Sequence, residues 1–182
     1  MNVVVKRMGP DLRDAFYALH SDVNDCGLCQ CVAWWAPTWE GWDKRTKEEN
    51  RALRESLFDR GEYDGYLLFV DDVPSAWCQA GPRDRLEKLC RSYRLTPDPA
   101  VWAITCFLVA PSARQKGLAR RLLDAVLADL AFKGVALVQA FPKRGELPVE
   151  DMWTGPEPLF QAAGFTLERD DPRLPIYAKR LG

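Results

Sequence analysis

The sequence predicts one α+β domain built on a mixed β-sheet, and three observations carry that reading. Val101–Val109 is an almost wholly apolar run, the pattern of a strand covered on both faces. A basic glycine turn follows and opens a long amphipathic helix, Gly117–Phe132, with Leu118, Ala119, Leu122, Leu123, Val126, Leu127 and Leu130 on one broad face. Strand-like and helix-like segments fill the rest of the 182 residues without a repeat, a low-complexity linker or a break in composition. At roughly 150 residues per domain, this length suits a single domain over 1–182, long enough to bury about 70% of its unfolded-chain surface.

Along the chain, the Val-rich stretch Met1–Met8 reads as a first strand. Asp11–His20 places Leu12, Ala15, Phe16 and Leu19 at helical spacing. Ser21–Gly41 breaks that period with Asn24, Gly27 and Pro37, yet holds three cysteines and Trp34, Trp35 and Trp39. A loop this apolar must be covered by the core or by a ligand. Thr46 with Glu49 three residues on is a capping box, opening a helix through Arg60 that Gly61 closes. Tyr66–Val70 and Pro74–Gln79 flank Asp71-Asp72 and read as an antiparallel hairpin. Arg83–Tyr93 is a short helix and Thr96–Pro99 a breaker before the apolar strand. After the long helix, Val135–Phe141 is a second apolar strand. Pro156–Gly164 is a short helix, and Phe165–Glu168 and Ile176–Leu181 are two closing strands.

Composition removes several function classes. Lys and Arg number 25 against 26 Asp and Glu, a formal charge of −1, which argues against non-specific nucleic-acid or membrane binding. No apolar run approaches the roughly 18 to 20 residues of a membrane span. Met1–Lys6 lacks a signal-peptide layout, so a cytoplasmic protein is expected, and its six cysteines are expected to be reduced thiols. His20 is the one histidine, which excludes multi-histidine metal catalysis within the chain. Nothing beside it in sequence resembles a Ser-His-Asp or Cys-His site.

The segment richest in chemistry is Arg114-Gln115-Lys116-Gly117-Leu118-Ala119. A helix start leaves about four N–H groups without intrahelical partners and carries roughly half a positive charge. Gly117 lets a ligand approach the backbone, Ala119 keeps the next approach small, and Arg114, Lys116, Arg120 and Arg121 add charge. The combination suits a pyrophosphate, although a plain connection with solvated basic residues has the same look.

The whole unit resembles the GNAT superfamily of N-acetyltransferases, whose acetyl-CoA signature is R/Q-x-x-G-x-G/A at a strand–helix junction. Arg114, Gly117 and Ala119 match it, and the order of elements is similar over essentially the full chain. Trp77-Cys78-Gln79, Pro82-Arg83, Cys106-Phe107, Phe141-Pro142, Thr154-Gly155 and Cys29-x-Cys31 near Trp34 and Trp35 resemble a poorly characterised bacterial subgroup of that superfamily. The resemblance implies a central mixed, mostly antiparallel twisted sheet flanked by helices. It implies acetyl-CoA as cosubstrate and direct acetyl transfer to a small amine. Backbone groups of Leu108 and Val109 would pair with the pantetheine arm, and Gln115, Lys116, Gly117, Leu118 and Ala119, with Arg114 and Arg120, would hold the pyrophosphate. The sequence leaves the oligomeric state open, with a homodimer among the options.

This chain departs from the family pattern at two positions. Ala103, between Trp102 and Thr105, stands near the place of a general-base Glu, and Phe160 stands where many relatives carry an acidic Tyr. Phenylalanine donates no proton. Cys78, Cys106 and Thr105 are the remaining candidates for proton work or acyl acceptance, with ordinary core cysteine as the alternative. Trp34, Trp35, Trp77 and Trp102, with Phe160, are candidates to line an acceptor pocket, and core packing explains them as well. Asp25, Glu40, Asp43 and Asp151 are the acids expected at the cleft edge, or else simple surface charges. Cys26-x-x-Cys29-x-Cys31 is the rival signal, since thiolates so spaced ligate zinc or iron–sulfur clusters given a fourth ligand; no metal is assigned. Two other readings therefore stand beside the transferase: a non-catalytic acyl-CoA-binding or sensing module, and a cysteine-cluster metal or redox protein.

Overall fold

The structure, a computed structural model, describes residues 1–21, 29–145, 148 and 152–182. Asp25, Cys26 and Asp151 lie outside these described residues. Seven strands form one sheet in the order β1-β2-β3-β4-β5-β7-β6. They are β1 (Val3–Arg7), β2 (Tyr66–Val70), β3 (Val73–Pro82), β4 (Val101–Val109), β5 (Leu137–Ala140), β6 (Thr166–Arg169) and β7 (Ile176–Arg180). Every neighbouring pair is antiparallel except β4 and β5. Those two are parallel because the chain crosses between them through α4 (Leu118–Phe132).

The helices form where the sequence pattern places them. Thr46 caps α2 (Lys47–Asp59), accepting from the Glu49 N–H at 3.1 Å while Glu49 accepts from the Thr46 N–H at 2.8 Å. The α4 helix buries Leu118, Leu122, Leu123, Val126, Leu127 and Leu130. The Arg83–Tyr93 segment splits into a short 3-10 turn and α3 (Glu87–Tyr93). Arg83 turns inward there, donating to the Gln139 Oε1 at 2.7 Å and the Thr96 carbonyl at 2.8 Å. Gln139 in turn donates to Glu168 at 2.7 Å, so one polar chain, buried at Arg83 and Gln139, ties the end of β3 to β5 and β6.

The two sheet faces carry different helices. Trp77 on β3 meets Phe16 of α1 (Arg13–Leu19) at 5.0 Å between ring centroids and stacks on Tyr63 at 5.5 Å. Tyr66, on the opposite face, donates to Asp129 of α4 at 2.6 Å. Cys78 is the register partner of Tyr66 and therefore shares the α4 face. Phe160 of α5 (Glu157–Ala162) packs against Phe107 on that same side.

Candidate functional site

The centre of the sheet contains one irregularity that shapes everything around it. Gln79 pairs with Cys106 and Ala80 with Ile104, leaving Thr105 as an extra residue in β4. A bulge bends its strand and re-aims the groups beyond it. The parallel pairing with β5 ends at the same level, at Ile104 opposite Ala140, while β4 runs on to Val109. Phe141 and Pro142 lead the chain away. One edge of β4 from Thr105 to Val109 is therefore open to other partners.

Those edge groups are already engaged in part. The Phe107 N–H donates to the Trp153 carbonyl at 2.6 Å, and the Thr105 carbonyl accepts from the Trp34 indole at 3.4 Å. The Val109 carbonyl accepts from Arg114 Nε at 3.1 Å. Thr105, Phe107 and Val109 thus face the gap, and strand alternation turns the N–H and carbonyl of Leu108 toward its partner Trp77 on β3. The backbone of Leu108 is thus turned to β3, and the gap-facing positions are Phe107 and Val109. The sequence reading misses Phe107 because the bulge that sets this alternation has no local signature.

Below this edge lies the elbow. Gln115 and Gly117 both take left-handed backbone conformations, φ +59° and +71°, and Gly117 is the N-cap of α4 with no side-chain capping bond. A Cβ at Gly117 would meet nothing within 4 Å, so the surface there is open. Residues 114–117 are exposed, Leu118 is buried and Ala119 half-buried. The first turn of α4 holds no acidic residue, and Arg120 and Arg121 place like charge on the positive end of the helix. That arrangement favours an anion at the helix start. Lys116 Nζ bonds the Ser112 carbonyl at 2.9 Å. Arg120 is committed elsewhere, to Asp124 at 2.8 Å and to the Ala162 carbonyl at 2.8 Å, which ties α4 to α5.

On the α1 side of the gap, the aromatic residues gather around Trp34 rather than around the set expected from sequence. Trp34 meets Trp39, Tyr93 and Trp153 at 5.3, 6.3 and 5.7 Å. Lys88 is buried beside them, 3.9 Å from the Trp39 ring and 4.5 Å from Trp42, and burial pulls its amine down to about 8. Trp77 is wholly buried under α1 and belongs to the core. Trp35 packs on Tyr63 at 4.8 Å and lines a surface hollow with Leu53, Leu57 and Arg60. Trp102 packs with the larger core, its ring 5.7 Å from the Arg7 guanidinium. Phe160 is fully buried against Phe107 and Phe165. These four do not meet in one pocket.

Cys78 is fully buried, and burial raises its thiol well above the ordinary range, which makes it a poor proton donor at neutral pH. Thr105 Oγ1 is buried with no hydrogen-bond partner among the described residues. Cys106 lies on the α1 face, its sulfur 3.1 Å from that of Cys31. His20, which has no visible partner in the local sequence, has its Nε2 3.1 Å from Cys31 Sγ. Sequence adjacency cannot reveal that contact, because it joins the end of α1 to a turn 11 residues further on. Among the described residues, no group of three or more His, Cys, Asp or Glu side chains is placed to hold a metal ion. Glu40 and Asp43 are exposed.

A seven-stranded sheet whose central parallel pair parts beside a glycine elbow defines an acyltransferase-type architecture. The sequence model of the Acetyltransferase (GNAT) family matches residues 28–144, and the chain belongs to that family. Among solved structures, an acetyltransferase from Thermus thermophilus aligns at 21% identity and TM-score 0.62, covering 100% of this chain and 98% of that one. The PaiA N-acetyltransferase of Thermoplasma acidophilum, solved with coenzyme A, aligns at 14% identity and TM-score 0.58, covering 99% of each chain. Aminoglycoside acetyltransferase AAC(6')-Ib, solved with coenzyme A and kanamycin, aligns at 18% and 0.61, covering 98% of this chain and 95% of that one. At these identities the likeness is one of fold. No curated protein matches the chain. No helix among the described residues is long and apolar enough to cross a membrane.

Proposed function

We propose that the chain, as one domain over 1–182, is an acetyl-CoA-dependent N-acetyltransferase acting on a small, partly aromatic or hydrophobic amine. The observation that carries this is the open β4 edge at Thr105–Val109 leading directly to the uncapped, basic start of α4. Structural neighbours solved with coenzyme A support the choice of carrier. Acyl-CoA supplies an acyl group already activated as a thioester.

The chain's own residues hold and orient. The N–H groups of the elbow and first turn, with Arg114 and Lys116, receive the pyrophosphate, and Gly117 keeps the approach free of a side chain. Phe107 and Val109 offer backbone groups to an extended chain lying along β4. Trp34, Trp39, Tyr93 and Trp153 form the wall against which an apolar amine packs. Proximity then accounts for most of the acceleration. Ala103 and Phe160 provide neither a base nor an acid, so an amine that is already neutral at working pH is the preferred acceptor.

Calorimetry with acetyl-CoA, followed by a thiol-release assay over small amines, tests the reading. Binding to the wild type is expected, with at least a tenfold loss in Gly117→Ala, whose methyl would stand where the pyrophosphate approaches. Left-handed strain at that position costs roughly 1–2 kcal/mol of stability, and no described neighbour opposes the methyl itself, so the variant should still fold. No binding by the wild type, or undiminished binding by both Gly117→Ala and Arg114→Glu, overturns the reading. The absence of both proton-transfer residues favours one other reading, a carrier-binding module without catalysis, which the same assay reports as binding with no thiol release from any amine.

A further inference from the structure

The acyl-transfer reading makes no use of the polar cluster on the α1 face, which has its own internal logic. His20 places Nδ1 3.0 Å from the Phe16 carbonyl and Nε2 3.1 Å from Cys31 Sγ. A carbonyl only accepts, so Nδ1 carries the ring proton and Nε2 offers a lone pair. Cys31 therefore directs its S–H to His20. The Cys31 sulfur is in turn 3.1 Å from Cys106 Sγ, although the two residues are 75 apart in sequence. Two donor groups stand around this pair: the guanidinium of the fully buried Arg54, with no carboxylate partner among the described residues, and the Trp77 indole N–H. Arg54 instead rests on the rings of Tyr63 at 3.3 Å and Phe16 at 4.4 Å. The Cys106 sulfur and burial keep the Cys31 thiol protonated at rest, while Arg54 and Trp77 pull the other way. A buried cation without an anion is costly, and it favours negative charge developing on a nearby sulfur during reaction.

We propose that Cys31 and Cys106 are a dithiol site that a hydroperoxide converts to a disulfide, pinning the turn that carries Trp34 to β4. The Cys31 sulfur attacks the peroxide oxygen, the O–O bond breaks, and the Cys31 proton leaves with the departing alkoxide as an alcohol. Cys31 is then a sulfenic acid. The Cys106 sulfur attacks the Cys31 sulfur, the S–O bond breaks, and the Cys106 proton leaves in water. Two thiols and one hydroperoxide give a disulfide, an alcohol and water, the sulfurs losing the two electrons that the peroxide gains. The sulfurs must close from 3.1 Å to about 2.05 Å, a movement of about 1 Å. Cys31 sits in a turn with Gln30, both at φ +50°, rather than in a strand or helix, so the backbone there can follow. Cys78 lies on the other sheet face, and Cys90 bonds the Arg83 carbonyl at 3.4 Å, so neither competes.

The test is to expose folded, full-length protein to hydrogen peroxide, alkylate the remaining thiols, digest, and read the peptides by mass spectrometry. A Cys31–Cys106 cross-linked peptide lighter by two hydrogens is expected, lost in Cys31→Ser and in Cys106→Ser, retained in Cys29→Ser, and reversed by dithiothreitol. Alkylation of both Cys31 and Cys106 after peroxide overturns the proposal, as does a cross-link from Cys31 to Cys26 or Cys29. Hydrogen exchange gives a second reading: amides of residues 29–36 should slow on oxidation, and unchanged exchange in a cross-linked sample overturns the pinning. Both readouts use no acyl carrier, so their failure is separable from failure of the transferase reading.

Discussion

His20 makes the molecule acid-sensitive by a calculable amount. Its ring is fully enclosed, stacked on Phe16 at 3.9 Å between centroids, and burial, aided by the Arg54 cation, lowers its pKa from 6.5 to about 3. The folded state therefore keeps the ring neutral where the unfolded chain has already taken up a proton. Stability from this group is complete above pH 6.5 and is lost progressively as pH falls toward 3. At pH 5 the difference between the two titrations corresponds to about 2 kcal/mol, or roughly 4–8 °C in Tm for a chain of this size. Urea unfolding at pH 7 and pH 5, on the wild type and on His20→Gln, isolates the effect, because carboxylates contribute equally to both proteins. The wild type should lose about 2 kcal/mol more than the variant over that interval. Since His20 is the sole histidine, equal losses would refute the claim that it is buried and uncharged.

Other outcomes follow from packing. A Cβ at Gly65 would lie 2.1 Å from the Trp77 ring, so Gly65→Ala should destabilise by about 3 kcal/mol in denaturant unfolding. Preserved stability in that variant would mean that Trp77 is not seated as described. Thr46→Ala removes one half of the α2 capping box and should cost about 1 kcal/mol with no change in acetyl-CoA affinity, since Thr46 is exposed and belongs to neither the elbow nor the β4 edge.

Much of this architecture is legible in the sequence alone. Val101–Val109 is β4 to the residue, the α4 helix begins one position after Gly117, and the Thr46–Glu49 capping box is formed. Those features depend on nearest neighbours along the chain, where periodicity and capping chemistry act. The bulge at Thr105 depends on a register mismatch with β3 that no single strand encodes. It decides which backbone groups face the gap, Phe107 and Val109 among them, and the pattern of β4 alone does not show it. The aromatic residues resist assignment for a related reason. Trp77 and Trp34 are both apolar in sequence and both buried, and only the three-dimensional packing sets Trp77 under α1 and Trp34 against the Thr105 carbonyl. The meeting of His20, Cys31 and Cys106 joins α1, a turn and β4, and spacing within any one segment cannot announce it.

The indole of Trp34 and the peptide group of Trp153 rest directly on the open strand edge, and their rings lie 5.7 Å apart. Under the proposed function, a guest lying along that edge would disturb the bond of the Trp34 indole to the Thr105 carbonyl. The unlabelled protein is thus equipped to report its own occupancy as a change in emission colour and intensity, and Trp34→Phe would dim that signal at its source.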